Sequence, residues 1–455
     1  MKWLGFIVIL AAIMPLSWWL RRNPRGAPKI WILIGFLPFA LGPFHLYMAI
    51  VSWPAWPGYV KGAEFSVLDA LALSVYLSLP GAPRPLPFRL SMALYFLAVL
   101  LSTLQASVPT AALFYSWQLA RIFLVYAVVT RGCADRRFAP AVLQGLAVGL
   151  FMEMGVAIWE RFGLGELQTS GTVGHQNLLG LMSHLIVLPF FALLLATRGW
   201  LPGAAVLAGL AIQLLTTSRG TLGFAALGYA AVFMLSALQQ WTSRKARLLF
   251  IGVAVAAIAA PLAWVSFEQR FSTQSSSDYD ERAAFNTAAS MILSDYPLGV
   301  GANMYVVVAN IGGYNREAGV APVLSSGSAN VHNVYLLVAA ETGYAGLITF
   351  VLLLLRPVIV AFHCAWRNRG DLRGDLMLGL GVGLLTVYLH CLFEWIFVSF
   401  QFQYIFAVQV GLVAGLAEQL GYWRRTDPQS VRLGVGTLPD SPSRETRGLS
   451  RRILK

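Results

Sequence analysis

The chain has 455 residues, 57% of them hydrophobic and only 12% charged, with a mean hydropathy of +0.66. Soluble globular proteins are about 25% charged, so the composition excludes a soluble domain and predicts an all-α, polytopic integral membrane protein. The net charge of +13 does not imply nucleic acid, because the basic residues are spread over short loops and the C-terminal segment rather than gathered in one patch.

Residues 3–20 are apolar and long enough to span. Trp18 and Trp19 close the run, and Arg21, Arg22, Arg25 and Lys29 follow it, whereas a cleaved signal peptide is basic before its apolar stretch. The reading is a retained helix with its N-terminus outside, which makes residues 1–29 an extra unit. Further spans are predicted at about 30–50, 66–80, 90–108, 112–130, 138–160, 175–196, 201–217, 221–240 and 248–267, an N-terminal bundle over 30–267. A hydrophilic loop, 268–333, carries short helices. Spans at about 334–366, 375–398 and 403–421 then form a C-terminal set, 334–422, for a total of about 12–13 transmembrane helices. Residues 423–455 are rich in Arg, Ser, Pro and Gly and are predicted to be disordered and attracted to anionic membrane lipid.

Most of the 33 Lys and Arg fall in segments that this alternation puts on one side; Lys2, Lys61, Arg121, Arg161, Arg219, Arg270, Arg282 and Arg316 do not. The positive-inside rule sets the tail in the cytoplasm and the long loop outside, which in a Gram-negative cell is the periplasm. The expected location is therefore the bacterial inner membrane, with the polar chemistry facing the periplasm. Cys133, Cys364 and Cys391 have neither metal-ligand spacing nor the pattern of a disulfide framework, so no metal and no cofactor is implied.

Cations are few on the outer side, and each asks for a reason. Arg219 lies in the short turn TTSRGTLG, where it either snorkels to headgroups or presents a guanidinium to a polyanion; Ser218 and Gly220 let the backbone approach as well. Arg282 follows a capping-box-like Asp278 and Glu281, on the side of an apolar stripe formed by Phe285, Ala289 and Ile292, and so faces protein or membrane. Gly171 to Asn177, including Gly174, precedes a span and reads as a nest of N–H donors or a plain helix-entry turn. His175 and His184 read as structural. Arg121 stands inside a predicted span, where it serves a site or pairs with an acid such as Glu153 or Glu394. Near the end of the long loop, Asn330 is expected to cap a helix, with His332 and Asn333 in its first turn. A helix N-terminus favours neutral imidazole, the form a general base needs, although His332 could equally pack at the interface. Arginines near the lipid surface suit a diphosphate leaving group, and a base beside them suits an incoming hydroxyl, which together read as group transfer from a lipid diphosphate.

The order of these motifs resembles the bacterial O-antigen ligase and polymerase superfamily. The matching residues are Ser218-Arg219-Gly220, Arg282, Pro297-Leu298-Gly299-Val300-Gly301, His332-Asn333, Tyr335-Leu336, Glu341, Gly343 and Gly346, and GTVGHQN at 171–177 is similar to the family's approach to a mid-chain helix. The resemblance implies a metal-independent membrane glycosyltransferase of the GT-C kind. Its donor would be a glycan on undecaprenyl diphosphate, and its acceptor lipid A–core or a growing polysaccharide. Carried onto this chain, His332 would be the base and Arg219 and Arg282 would bind the diphosphate. Ser218, Asn333, Arg316, Arg121, Gly174 and Asn177 are the further candidates for substrate contact. Family ligases have twelve spans, so the extra N-terminal helix is a departure. Polymerases and protein O-oligosaccharyltransferases share the pattern, and a lipid-linked glycan transporter is the rival of a different class.

Overall fold

The computed structural model describes residues 2–81, 85–254, 257 and 277–423. In hydrocarbon every backbone N–H and C=O must be satisfied within its own segment, so the apolar runs fold as helices. In chain order these are α1 (Lys2–Arg22), α2 (Ala27–Ala40), α3 (Val67–Ser78), α4 (Arg89–Ser102), α5 (Pro109–Gly132), α6 (Phe138–Ile158), α7 (Gln176–Ala196), α8 (Trp200–Leu215), α9 (Arg219–Gln239) and α10 (residues 243–254). The helices α11 (Ser277–Asp295), α12 (Tyr305–Ile311), α13 (Tyr314–Glu317) and α14 (Leu324–Gly327) follow, then α15 (Val334–Arg367), α16 (Leu372–His390) and α17 (Phe400–Gln419).

Among the described residues, eight helices are long and apolar enough to cross a membrane: α1, α5, α6, α7, α9, α15, α16 and α17. α2, α3, α4 and α8 coincide with predicted spans but have only 12 to 16 residues. A 14-residue helix rises about 21 Å against a hydrocarbon core of about 30 Å. The predicted span 248–267 lies largely outside the described residues. Of these eight, α7 and α17 are the most buried, each with 89% of its apolar window buried, whereas α1 has 17% buried and packs on α3.

Two predicted spans need correction. The run over 30–50 is helical only to Ala40. Tyr47–Ser52 (β1) then pairs antiparallel with Gly62–Ser66 (β2), Tyr47 opposite Ser66 and Ala49 opposite Glu64. Likewise the run over 375–398 is helical only to His390 and is followed by an irregular turn.

The hairpin and the α11–α14 segment are joined through Asn303. Its side-chain amide donates to the carbonyls of Val60 and Ala111 (2.7 and 3.0 Å), and its Oδ1 accepts from Val60 N (3.0 Å). α15 is broken where this layer meets it. Gly343 has φ 68° and ψ −173°, a conformation open essentially only to glycine. The break frees the Ala340 and Glu341 carbonyls, which accept from Val300 N (3.0 Å) and Gly301 N (2.9 Å), while Tyr344 N donates to Pro297 O (3.2 Å). A Cβ at residue 343 would stand 2.4 Å from Pro297 O, and one at residue 299 would stand 2.4 Å from Glu341 O. The two glycine-rich motifs are thus halves of one backbone interlock. Buried Glu341 completes it, accepting from the Tyr59 hydroxyl (2.5 Å) and Tyr305 N (3.0 Å).

Candidate functional site

The site is organised by Glu394, in the turn after α16. The helix ends at His390, and the turn beyond it is met by the first N–H of α15: Val334 N donates to Cys391 O (3.1 Å) and Glu394 O (3.2 Å). This docking fixes where α15 begins. Asn333 is its N-cap, with Oδ1 accepting from Tyr335 N (3.0 Å) and Leu336 N (3.2 Å). The expected cap at Asn330 is therefore corrected by three residues. His332 precedes the cap instead of lying in the first turn, and the Asn333 oxygen is occupied by backbone.

Glu394 is buried, and three side chains from three other parts of the chain converge on it. Asn177 Nδ2 donates to Oε1 (2.6 Å), Arg282 Nη2 lies 3.6 Å from Oε1, and His332 Nδ1 lies 3.6 Å from Oε2. Arg282 also donates to Phe393 O (3.5 Å). Phe285, Ala289 and Ile292 of α11 are buried, as the stripe predicted, which turns Arg282 toward this acid. The Arg282 and His332 side chains are 42% and 23% exposed, so a cation and an imidazole face outward over a buried carboxylate. With Nδ1 toward Glu394, the ring leaves Nε2 as its outward nitrogen.

Arg219 opens α9 behind the cap Ser218, whose hydroxyl accepts from Thr221 N (3.3 Å). This turn packs against the end of α16. Phe224 stacks on His390 with ring centroids 4.7 Å apart, and a Cβ at residue 220 would stand 2.7 Å from His390 Nε2. Arg219 thereby comes to the same end of α16 as Glu394.

The 171–177 motif has another task than an open anion nest. Glu160 already accepts from Ser170 N (2.8 Å) and Gly171 N (2.9 Å), and Glu153 accepts from Thr172 N (2.9 Å). Gly174 is left-handed and exposed at the turn, and His175 Nδ1 caps α7 by accepting from Asn177 N (3.2 Å). The motif delivers Asn177 to Glu394. Burial lowers the pKa of His175, partly offset by Glu394 and reinforced by His332, so its imidazole is held neutral.

Arg121 is not part of this group. It pairs with Asp69 (3.4 Å) and Glu64 (3.7 Å), not with Glu153 or Glu394, because α5 faces α3 and β2. Asp69 in turn accepts from Ser66 N (2.7 Å) and the Tyr404 hydroxyl (2.6 Å), which makes a buried ion cluster of the scaffold. Arg316 is exposed on α13, which packs on α11 and α12.

Sequence reasoning named Glu394 only as a partner for Arg121. The signal was there, since Glu394 is the one acid between Asp375 and Glu418 and stands in the apolar HCLFEWIF. Among the described residues no group of three or more His, Cys, Asp or Glu is placed to hold a metal ion. The arrangement can take a proton at an imidazole backed by a carboxylate, and can meet an anion with guanidinium groups.

The fold is a multi-pass helical bundle with this polar chemistry gathered at one end. Residues 203–351 match the family model described as O-antigen ligase, which supports membership of the O-antigen ligase/polymerase superfamily of membrane enzymes. The matched stretch holds Arg219, Arg282, His332 and the Gly299–Gly343 interlock, while Asn177 and Glu394 lie outside it. No curated protein matches the chain.

Proposed function

We propose that the protein moves a glycan from undecaprenyl diphosphate to an acceptor hydroxyl on the periplasmic side of the inner membrane, and that the acceptor is lipid A–core. The observation that carries the reading is the convergence of His332, Arg282 and Asn177 on one buried acid. His332 Nε2 takes the hydroxyl proton as the acceptor oxygen bonds to the anomeric carbon. Glu394 orients the ring and stabilises the imidazolium that forms. The bond from that carbon to the phosphate oxygen breaks, its electron pair leaves with undecaprenyl diphosphate, and Arg282 and Arg219 meet the charge. Asn177 holds Glu394, and Ser218 presents Arg219.

The positive-inside distribution supports the periplasmic orientation. The polymerase reading uses the same chemistry with a growing polysaccharide as acceptor. A strain lacking the protein separates them: long glycan accumulating on undecaprenyl diphosphate beside bare lipid A–core identifies a ligase. Single repeat units still reaching lipid A–core identify a polymerase. Unchanged surface and lipid-linked glycans would refute both.

A further inference from the structure

Behind the site a chain of buried polar side chains runs between α7, α8, α9 and α16. Gln213 anchors it, accepting the Tyr229 hydroxyl at Oε1 (3.2 Å) and donating from Nε2 to Ser183 Oγ (3.0 Å). The same amide nitrogen lies 3.4 Å from His184 Nδ1. An amide N–H can only donate, so His184 accepts at Nδ1 and carries its own proton on Nε2. That Nε2 and the Nδ1 of His390 are both buried without a hydrogen-bond partner, on rings whose centroids are 5.5 Å apart. The two nitrogens are complementary in one tautomer, His184 as donor and His390 as acceptor, although no hydrogen bond joins them in this structure; that tautomer puts the His390 proton on Nε2, the nitrogen turned to Gly220.

His390 lies flat across the first turn of α9, between Gly220 and Phe224, one turn ahead of Glu394. We propose that His184 Nε2 and His390 Nδ1 serve each other and that His390 is thereby a positioning residue, an imidazole wedge whose orientation fixes the spacing between Arg219 and the Glu394–Arg282 pair and so shapes the diphosphate site. The inference deepens the donor reading above and rests on it. It also gives Gly220 a reason: any side chain there would push the Arg219 turn off His390.

The test is binding of undecaprenyl diphosphate to the full-length protein in nanodiscs, with undecaprenyl monophosphate as control, together with donor KM and kcat. His390→Phe keeps the stack on Phe224 and removes both nitrogens. It should weaken diphosphate binding and raise donor KM about tenfold, since small misplacements of binding groups are amplified in this way, with kcat changed less. His390→Gln, which returns a donor near the Nε2 position, should recover part of the loss. Wild-type affinity in His390→Phe, or equal damage in His390→Gln, overturns the proposal. If neither variant folds, Gly220→Ala decides: a raised donor KM supports the wedge and a wild-type value refutes it. A wild-type protein that does not prefer the diphosphate over the monophosphate refutes the donor reading and this inference with it.

Discussion

Glu394→Gln removes one charge at nearly constant volume and isolates what the carboxylate does for His332. At the observed 3.6 Å two unit charges interact by about 4.6 kcal/mol at an effective dielectric of about 20, and by about 1.2 kcal/mol at about 80. His332 is 23% exposed and Glu394 4%, so the imidazolium loses an intermediate amount, about 2–3 kcal/mol, on the neutral substitution. At about 1.4 kcal/mol per decade that is a fall in kcat of about 10²-fold. The amide can still accept from Asn177, so the protein should fold and melt close to wild type. The assay is the initial rate of glycan transfer from the lipid-linked donor, with thermal unfolding run alongside. A folded variant that retains a third or more of the wild-type rate would refute the role given to Glu394.

His332→Ala should lower transfer by at least ~10²-fold without loss of fold, because Asn333 rather than His332 caps α15; near-normal ligation in a complementation assay counts against it. Arg121→Gln should act on stability instead, since it strands Asp69 in the interior; breaking a buried pair costs about 3–5 kcal/mol, and a variant with normal melting but a raised donor KM would move Arg121 into the site. Gly343→Ala should destabilise by about 1–3 kcal/mol from backbone strain alone, before the clash with Pro297 O, and an unchanged melting curve would contradict the interlock. The lowered pKa of His175 means that the unfolded chain binds its proton first. This contribution to stability is complete above the ordinary imidazole value of 6.5 and is lost as pH falls below it. His175→Asn, which keeps a capping side chain, should show a smaller drop in melting temperature between about pH 7 and about pH 5; an identical drop would rule the contribution out.

Arg219, Arg282 and His332 were legible as candidates because polar groups in an apolar chain stand out one by one. The α11 stripe was legible because Phe285, Ala289 and Ile292 repeat at helical spacing. Glu394 was hidden by hydropathy: the run from 375 to 398 is apolar apart from Asp375, His390 and Glu394, and the turn after His390 is held by bonds from Val334 N, far away in sequence. The same long-range contact chooses Asn333 over Asn330 as the cap, two asparagines that local propensity cannot separate. The hairpin was missed because β1 continues the apolar run of α2, and its strand character comes from pairing with Gly62–Ser66 rather than from its own pattern. Arg121 found its acids on that unexpected strand and the helix after it.

The backbone interlock between Pro297–Gly301 and Ala340–Tyr344 bears on how this enzyme can be recombined with relatives. The tempting exchange unit is the long hydrophilic segment, cut at 268 and 333 where hydropathy changes. Such a graft would carry Val300 and Gly301 from one parent and the carbonyls they bind from the other, joining two halves of a fitted surface that never evolved together. Moving the second cut past Tyr344 takes both halves in one piece and places the seam inside a regular helix. Chimaeras cut there should mature and insert, and those cut at 333 should be degraded, whatever glycan either parent transfers.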